Sequence, residues 1–269
     1  MDWIFYFWLF ITYLGSEYFY LVALTTLYLA VNKRLCYKTA IILFFSMWLN
    51  SLLKDIFKLE RPPNRLIEVS GYGFPSGHAQ NSTTFWGYLA ITTQNVFIIV
   101  LAIVLIILIS YSRLYLNVHY PIDVIGGILI GTLMVFVYYF LSNFLEEKVE
   151  KISFGLKVFI SGFVPLMLFA LYAILFFAEA SKDVPRICGA YLGFAVGYLL
   201  EEKFIGMLDS HVFKFKVLRC FLGLVIVFTA YLFLSILFPA SFYILFIRYA
   251  LIALLVTVFA PSLIRTLKI

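Results

Sequence analysis

Three short polar blocks interrupt an otherwise apolar chain, and they hold the residues with chemistry to offer. The first runs from Lys54 to Arg61-Pro62, the second is Gly71-Tyr-Gly-Phe-Pro75-Ser76-Gly77-His78, and the third is Ser112-Arg113 followed by His119 and Asp123. In the second block, Ser76 is a good helix N-cap for the apolar run that follows, and Gly77 lets a ligand approach the backbone. His78 then falls in the first helical turn. Free backbone N–H groups at the positive end of a helix, beside an imidazole, make an anion site with a proton donor attached. In the first block the seven-residue spacing predicts Lys54 and Arg61 on one helix face, with Pro62 ending the helix. In the third block Pro121 suits a helix start, which brings Asp123 into the first turn beside His119.

From these blocks Lys54, Arg61 and Arg113 supply three cations, His78 and His119 two imidazoles, Asp123 a carboxylate, and the Ser76–His78 turn a helix N-terminus. That inventory suits a phosphate monoester dianion and the charge that develops as a phosphoryl group is transferred. One histidine can attack phosphorus while Asp123 fixes its tautomer and stabilises the cation formed. The other can protonate the leaving oxygen, and water then hydrolyses the phosphohistidine. Acidic metal ligands are lacking around these residues. The expected chemistry therefore needs no metal and no cofactor, with Lys and Arg in the role a divalent cation plays elsewhere.

The elements that must hold these residues are membrane helices. The chain has 269 residues, of which 64% are hydrophobic and only 13% charged, and its mean hydropathy is +1.03. Soluble domains are about half apolar and a quarter charged. The apolar runs have the length of spanning helices and lack the alternation of a β-barrel. An all-α, polytopic bundle is expected, with about nine spans near 16–32, 36–57, 77–94, 96–112, 121–141, 157–179, 185–200, 217–238 and 243–264. Residues 3–14 are predicted to lie in the interface as a short helix. The net charge of +6 does not imply nucleic acid, because the Lys and Arg cluster in loops. Placing 33–38, 148–157, 203–219 and 265–268 inside obeys the positive-inside rule. The C-terminus is then cytoplasmic, and the three polar blocks share the outer, non-cytoplasmic side. A bacterial inner membrane is the default expectation. The scattered Cys36, Cys188 and Cys220 read as structural. Residues 1–141 are expected to form the catalytic helical core, 142–156 a cytoplasmic linker, and 157–269 a further four-helix region.

The pattern Lys-x6-Arg-Pro, Pro-Ser-Gly-His, Ser-Arg-x5-His-x3-Asp resembles the type 2 phosphatidic acid phosphatase (PAP2) superfamily, at the family's spacing and over roughly residues 1–141. The resemblance implies His119 as nucleophile, Asp123 as its partner and His78 as general acid. It implies that Lys54, Arg61, Ser76, Gly77 and Arg113 hold the phosphate. It also implies a site on the periplasmic, extracellular or lumenal face. The nine-helix plan looks more like the glucose-6-phosphatase and sphingosine-phosphate phosphatase branches than like the six-span lipid phosphatases.

The expected activity is a membrane phosphatase acting on a phosphorylated lipid, either a monoester or a pyrophosphate. Alternatives are a phosphatase of a soluble sugar phosphate and a lipid phosphotransferase. A transporter or lipid-binding module is a further reading, but pure binding gives no reason for two imidazoles and a positioned carboxylate. Among other polar residues, His211 reads as solvated in a cytoplasmic loop, and Lys58 and Arg65 as solvated outer charges. Asn50 and Asn81 lie about one turn from Lys54 and His78 and divide evenly between supporting the site and ordinary packing. Arg248 sits inside the last span and needs a partner, with Glu179 or Asp183 as candidates.

Overall fold

A computed structural model describes residues 3–176 and 181–269. Every regular element among them is helical. In order these are α1 (Trp3–Tyr13), α2 (Glu17–Thr26) continued by a π-helical turn (Leu27–Val31), α3 (Lys33–Phe57), α4 (Gly77–Thr93), α5 (Val96–Tyr115), α6 (Pro121–Glu150), α7 (Phe154–Phe176) and α8 (Asp183–Leu200). A second π-turn (Glu201–Ile205) follows, then α9 (Phe213–Leu237), α10 (Phe242–Leu254), a third π-turn (Leu255–Phe259) and α11 (Ala260–Leu267).

Helices occupy each of the nine expected segments. Six among the described residues are long and apolar enough to cross a membrane by length and composition, or seven if the bent pair α1–α2, which meets at 53°, counts as one. The chain is a polytopic helical membrane protein. The expected segments that fall short have a reason in their sequence. Helix α4 has only 17 residues and opens Gly-His-Ala-Gln-Asn-Ser-Thr-Thr, while α8 begins with Asp183, Pro185 and Arg186.

Two compact units divide the chain. One comprises Met1–Leu21 and Phe45–Glu146, the other Val22–Phe44 and Glu147–Ile269. The division differs from the expected boundaries in two ways. Residues 22–44 group with the C-terminal helices, and the 142–156 stretch is helical through Glu150, so α6 extends through most of the expected linker. Leu, Glu and Lys at 145–148 are strong helix formers and give no reason to stop.

All three polar blocks lie in the first unit. There α6 packs tightly on the start of α4 because its small residues admit backbone. A Cβ at Gly127 would stand 2.6 Å from the Ser76 carbonyl oxygen, and one at Gly131 2.6 Å from that of Gln80. Small residues that let helix backbones approach are the usual device for packing where lipid is as apolar as the core. Gly127→Val is therefore expected to destabilise the protein by about 1–3 kcal/mol through overpacking. The loss should appear as a lowered thermal midpoint in detergent, accompanied by loss of activity because the displaced atoms belong to the Ser76 turn.

The second unit uses the same device on α8. Cβ atoms at Gly189 and Gly193 would each lie 2.1 Å from backbone oxygens of α10, those of Phe246 and Ala250. An ion pair of half-buried Lys33 with buried Glu201, Nζ to Oε2 at 2.9 Å, also belongs to this unit, and Glu201 Oε1 accepts from the Met207 N–H. Arg248 is buried and stacks over Tyr231 and Tyr249. Of its two expected partners, Asp183 pairs with Arg186 instead, and Glu179 lies outside the described residues. Cys36 and Cys188 are buried and all three cysteines are free. His211 is exposed.

Candidate active site

Helix α6 starts at Pro121, and Asp123 sits in its first turn. One turn earlier in the chain, His119 Nδ1 lies 3.3 Å from Asp123 Oδ2, with both side chains buried. The same carboxylate oxygen accepts the Tyr120 N–H at 2.9 Å. On the other side of the ring, Arg61 Nη1 lies 2.9 Å from His119 Nε2. A guanidinium has donors only, so Nε2 must accept and the ring proton is assigned to Nδ1, facing Asp123. Nε2 thus carries the lone pair of a neutral imidazole, directed at the Arg61 guanidinium. Burial holds this imidazole below the ordinary histidine range, and the charges of Arg61, Lys54 and Arg113 act the same way, while the Asp123 hydrogen bond opposes them.

Arg61 does not share a helix face with Lys54. Helix α3 ends at Phe57, where Lys58 takes a left-handed φ of 48° and its N–H returns to the Lys54 carbonyl at 2.9 Å. Arg61 precedes Pro62, which disfavours helical backbone at that position. The guanidinium reaches the site from a loop, pinned by bonds from Nε to the Gly71 oxygen (2.8 Å), Nη2 to Ser70 (3.2 Å) and Nη1 to Val118 (3.0 Å). Burial and the nearby Arg65 push its pKa down to about 10, so it stays cationic at neutral pH. Lys54 occupies the last turn of α3, and its charge acts on both His119 and His78.

Ser76 is the N-cap residue of α4, as expected, but its hydroxyl makes no capping bond. Its backbone N–H donates to the Asp123 carbonyl at 2.9 Å, which ties the second block to the third. Gly77 is the first residue of α4, and a Cβ there would stand 2.9 Å from Asn50 Oδ1. His78 follows, half-buried, close enough to Arg113, Lys54 and Arg61 for each charge to act on it. Arg113, in the last turn of α5, donates from Nη1 to Thr12 Oγ1. Two buried donors in this neighbourhood, Ser76 Oγ and Arg113 Nε, have no partner among the described residues. Buried donors are nearly always paired, so these two mark a place built for an acceptor. Among the described residues no group of three or more His, Cys, Asp or Glu side chains is arranged to hold a metal ion.

Behind the 75–78 turn lies a polar network that the sequence only hinted at. Asn50 Nδ2 donates to the Pro75 oxygen (3.1 Å) and to Gln80 Oε1 (2.9 Å). Gln80 Nε2 in turn donates to the Ser46 carbonyl (2.9 Å) and hydroxyl (3.1 Å), and Ser46 Oγ donates to Asn81 Oδ1 at 2.9 Å. Both asparagines therefore belong to the support of the turn. Ser46 stands four residues before Asn50 on one face of α3, a spacing that could have pointed to it. Thr12 left no such signal. Arg65 donates to the Val69 oxygen at 3.1 Å and stays in the loop between α3 and α4, where Lys58 is also exposed.

The arrangement brings together an oriented imidazole, guanidinium groups beside it and a helix N-terminus with an unpaired hydroxyl, a set of groups suited to an anion. Comparison with known proteins adds the family. Residues 35–147 match the model of the PAP2 superfamily, and residues 185–269 match that of the PAP2 superfamily phosphatase, transmembrane extension. The chain belongs to the PAP2 superfamily. The first match contains all three polar blocks and the second takes in α8 to α11. Among similar proteins, the human sphingosine-1-phosphate phosphatase 2 is 28% identical over 206 residues, 71% of this chain and 51% of that protein. Phosphatidylglycerophosphatase B of Bacillus subtilis is 30% identical over 113 residues, 38% of this chain and 54% of that protein. Undecaprenyl-diphosphatase of Sulfolobus acidocaldarius is 32% identical over 136 residues, 48% of this chain and 66% of that protein. The chain thus spans about half the length of the first of these relatives.

Proposed function

We propose that this PAP2 protein is an integral membrane phosphatase that removes a terminal phosphate from a lipid substrate at the non-cytoplasmic face. The observation that carries the reading is the Asp123–His119–Arg61 line, with Nε2 of a neutral imidazole held under a guanidinium. In the proposed first step His119 Nε2 attacks phosphorus, a P–N bond forms and the P–O bond to the lipid breaks. His78 supplies the proton taken up by the departing oxygen. The imidazole that becomes cationic is stabilised by Asp123 through Nδ1–H. Water, deprotonated by His78, then attacks the phosphohistidine, releasing phosphate and the starting imidazole. Lys54, Arg61, Arg113, Ser76 Oγ and the N–H groups at Gly77 and His78 neutralise the non-bridging oxygens, so the step needs no metal. As phosphate enters, Arg61 Nη1 turns from Nε2 to a phosphate oxygen, which frees the lone pair for attack.

The nine helices from α2 onward, with α10 and α11 as one, are proposed to cross the membrane, leaving the C-terminus in the cytoplasm. The substrate is proposed to carry a lipid tail. The relatives are named for sphingosine-1-phosphate, phosphatidylglycerophosphate and undecaprenyl diphosphate, which share a phosphate on an amphiphile, and the residues of the site are carried by apolar helices and the loops between them. The test is phosphate release by detergent-purified protein in EDTA, using those three substrates, phosphatidic acid and glucose 6-phosphate. Release from one or more tailed substrates only is expected. Equal release from glucose 6-phosphate would move the protein to soluble esters, and a strict requirement for added metal would refute the metal-free mechanism.

A further inference from the structure

Helix α1 and the break after it lie outside the 35–147 match to the PAP2 superfamily, yet they touch two of the residues assigned to the reaction. Trp8 and Thr12 are four residues apart and so share one face of α1. Trp8 packs on Tyr111 and Tyr115 of α5, with ring centroids 4.9 and 5.7 Å apart. That contact fixes α1 beside the turn of α5 that carries Arg113. Thr12 is buried, and its hydroxyl accepts from Arg113 Nη1. The chain then breaks at 14–16, and Gly15 faces the start of α4. A Cβ at Gly15 would stand 3.0 Å from His78 Cδ2 and 2.7 Å from Ile109 Cγ2.

A buried guanidinium has five N–H donors in a rigid fork, so anchoring one nitrogen fixes where the others point. With Nη1 held by Thr12, the unpaired Nε is aimed by the threonine rather than by a carboxylate. A neutral hydroxyl leaves the full positive charge of Arg113 for a ligand, whereas a carboxylate would neutralise it. Helix α1 otherwise presents Trp3, Tyr6, Phe10 and Tyr13 outward. Its buried polar contact is thus reserved for the site.

We propose that the α1–α2 break is a built wall of the active site, with Thr12 the positioning residue for Arg113 and Gly15 the clearance that seats His78. The proposal rests on the phosphatase reading above. Full-length protein carrying Thr12→Val, Thr12→Ser or Gly15→Ala is compared with wild type in two assays. One is equilibrium binding of radiolabelled inorganic phosphate, and the other is steady-state phosphate release from a tailed substrate. Val keeps the shape of Thr and loses the hydroxyl. It should weaken phosphate binding and raise KM about tenfold with little change in kcat, and Ser should restore both. Gly15→Ala should lower kcat about ten- to a hundredfold with KM nearly unchanged, because it moves the proton donor rather than the phosphate clamp. Monodispersity and thermal midpoint in detergent identify any variant that has simply lost its fold, in which case the Ser variant and Gly15→Ala decide. Wild-type phosphate binding and KM in Thr12→Val, or a Thr12→Ser no better than Val, overturns the role of Thr12 while leaving the phosphatase reading intact. A wild type that neither binds nor releases phosphate overturns both.

Discussion

His119→Ala is expected to reduce phosphate release by at least about 10⁴-fold, because removing the proposed covalent nucleophile leaves only the catalysis supplied by binding and charge. Binding of inorganic phosphate should survive, since the groups proposed to hold it are Lys54, Arg61, Arg113, Ser76 and the start of α4. Loss of the imidazole also frees Arg61 Nη1 from His119 Nε2, its neighbour at 2.9 Å. Phosphate affinity can therefore rise slightly as turnover disappears. The comparison needs both readouts on the same detergent-purified protein. Turnover within tenfold of wild type would remove His119 from the role of nucleophile. Loss of turnover together with loss of phosphate binding would show instead that the pocket had collapsed.

The second large effect is expected at Arg61. Its guanidinium bonds two carbonyls of its own loop, Gly71 and Ser70, as well as Val118 and the His119 ring. Arg61→Ala therefore removes a proposed phosphate ligand and the bonds that tie its loop to Val118 and the imidazole. A single donor to developing charge is worth about 10²–10³ in rate, and the loss of these bonds adds to this, so kcat/KM should fall about 10³-fold or more. Arg61→Lys should rescue little, since an ammonium is a point charge that cannot serve the loop carbonyls and Nε2 together. Steady-state kinetics of both variants check this. A Lys variant with wild-type kcat/KM would show that charge alone matters and that the fork geometry does not.

The helices were legible because each apolar run is bounded by a residue that stops or starts one. Pro121 opens α6 and sets Asp123 in its first turn, and Ser76 precedes α4, both as the local chemistry dictates. Arg61 was misplaced for a local reason as well. Counting seven residues from Lys54 assumes an unbroken helix, but Lys58 turns left-handed and the Glu-Arg-Pro-Pro run cannot continue α3. The outcome is the same convergence reached by a different route, with loop carbonyls instead of a helix face holding the guanidinium.

What remained hidden was contact across long sequence separations. Nothing near Thr12 signals that its hydroxyl meets Arg113, which lies 101 residues away. Gln80 resembles any polar residue in a membrane helix until Ser46, 34 residues before it, takes both of its amide hydrogens. Helix α6 continues through Glu150, past the expected span over 121–141, because 142–150 is polar but strongly helix-forming. Composition signals where a membrane ends better than where a helix does.

The measurement that bears most directly on the proposed chemistry is covalent trapping. Wild-type protein is mixed with substrate labelled in the terminal phosphate, quenched in denaturant at alkaline pH, where phosphohistidine survives, and mapped by peptide mass spectrometry. A phosphoryl group on His119 is the expected result, with none in Asp123→Asn at the same time point, because slower attack leaves the intermediate unpopulated. Label on His78 in place of His119, or an enzyme that turns over while no residue becomes labelled at any quench time, would contradict a His119 nucleophile.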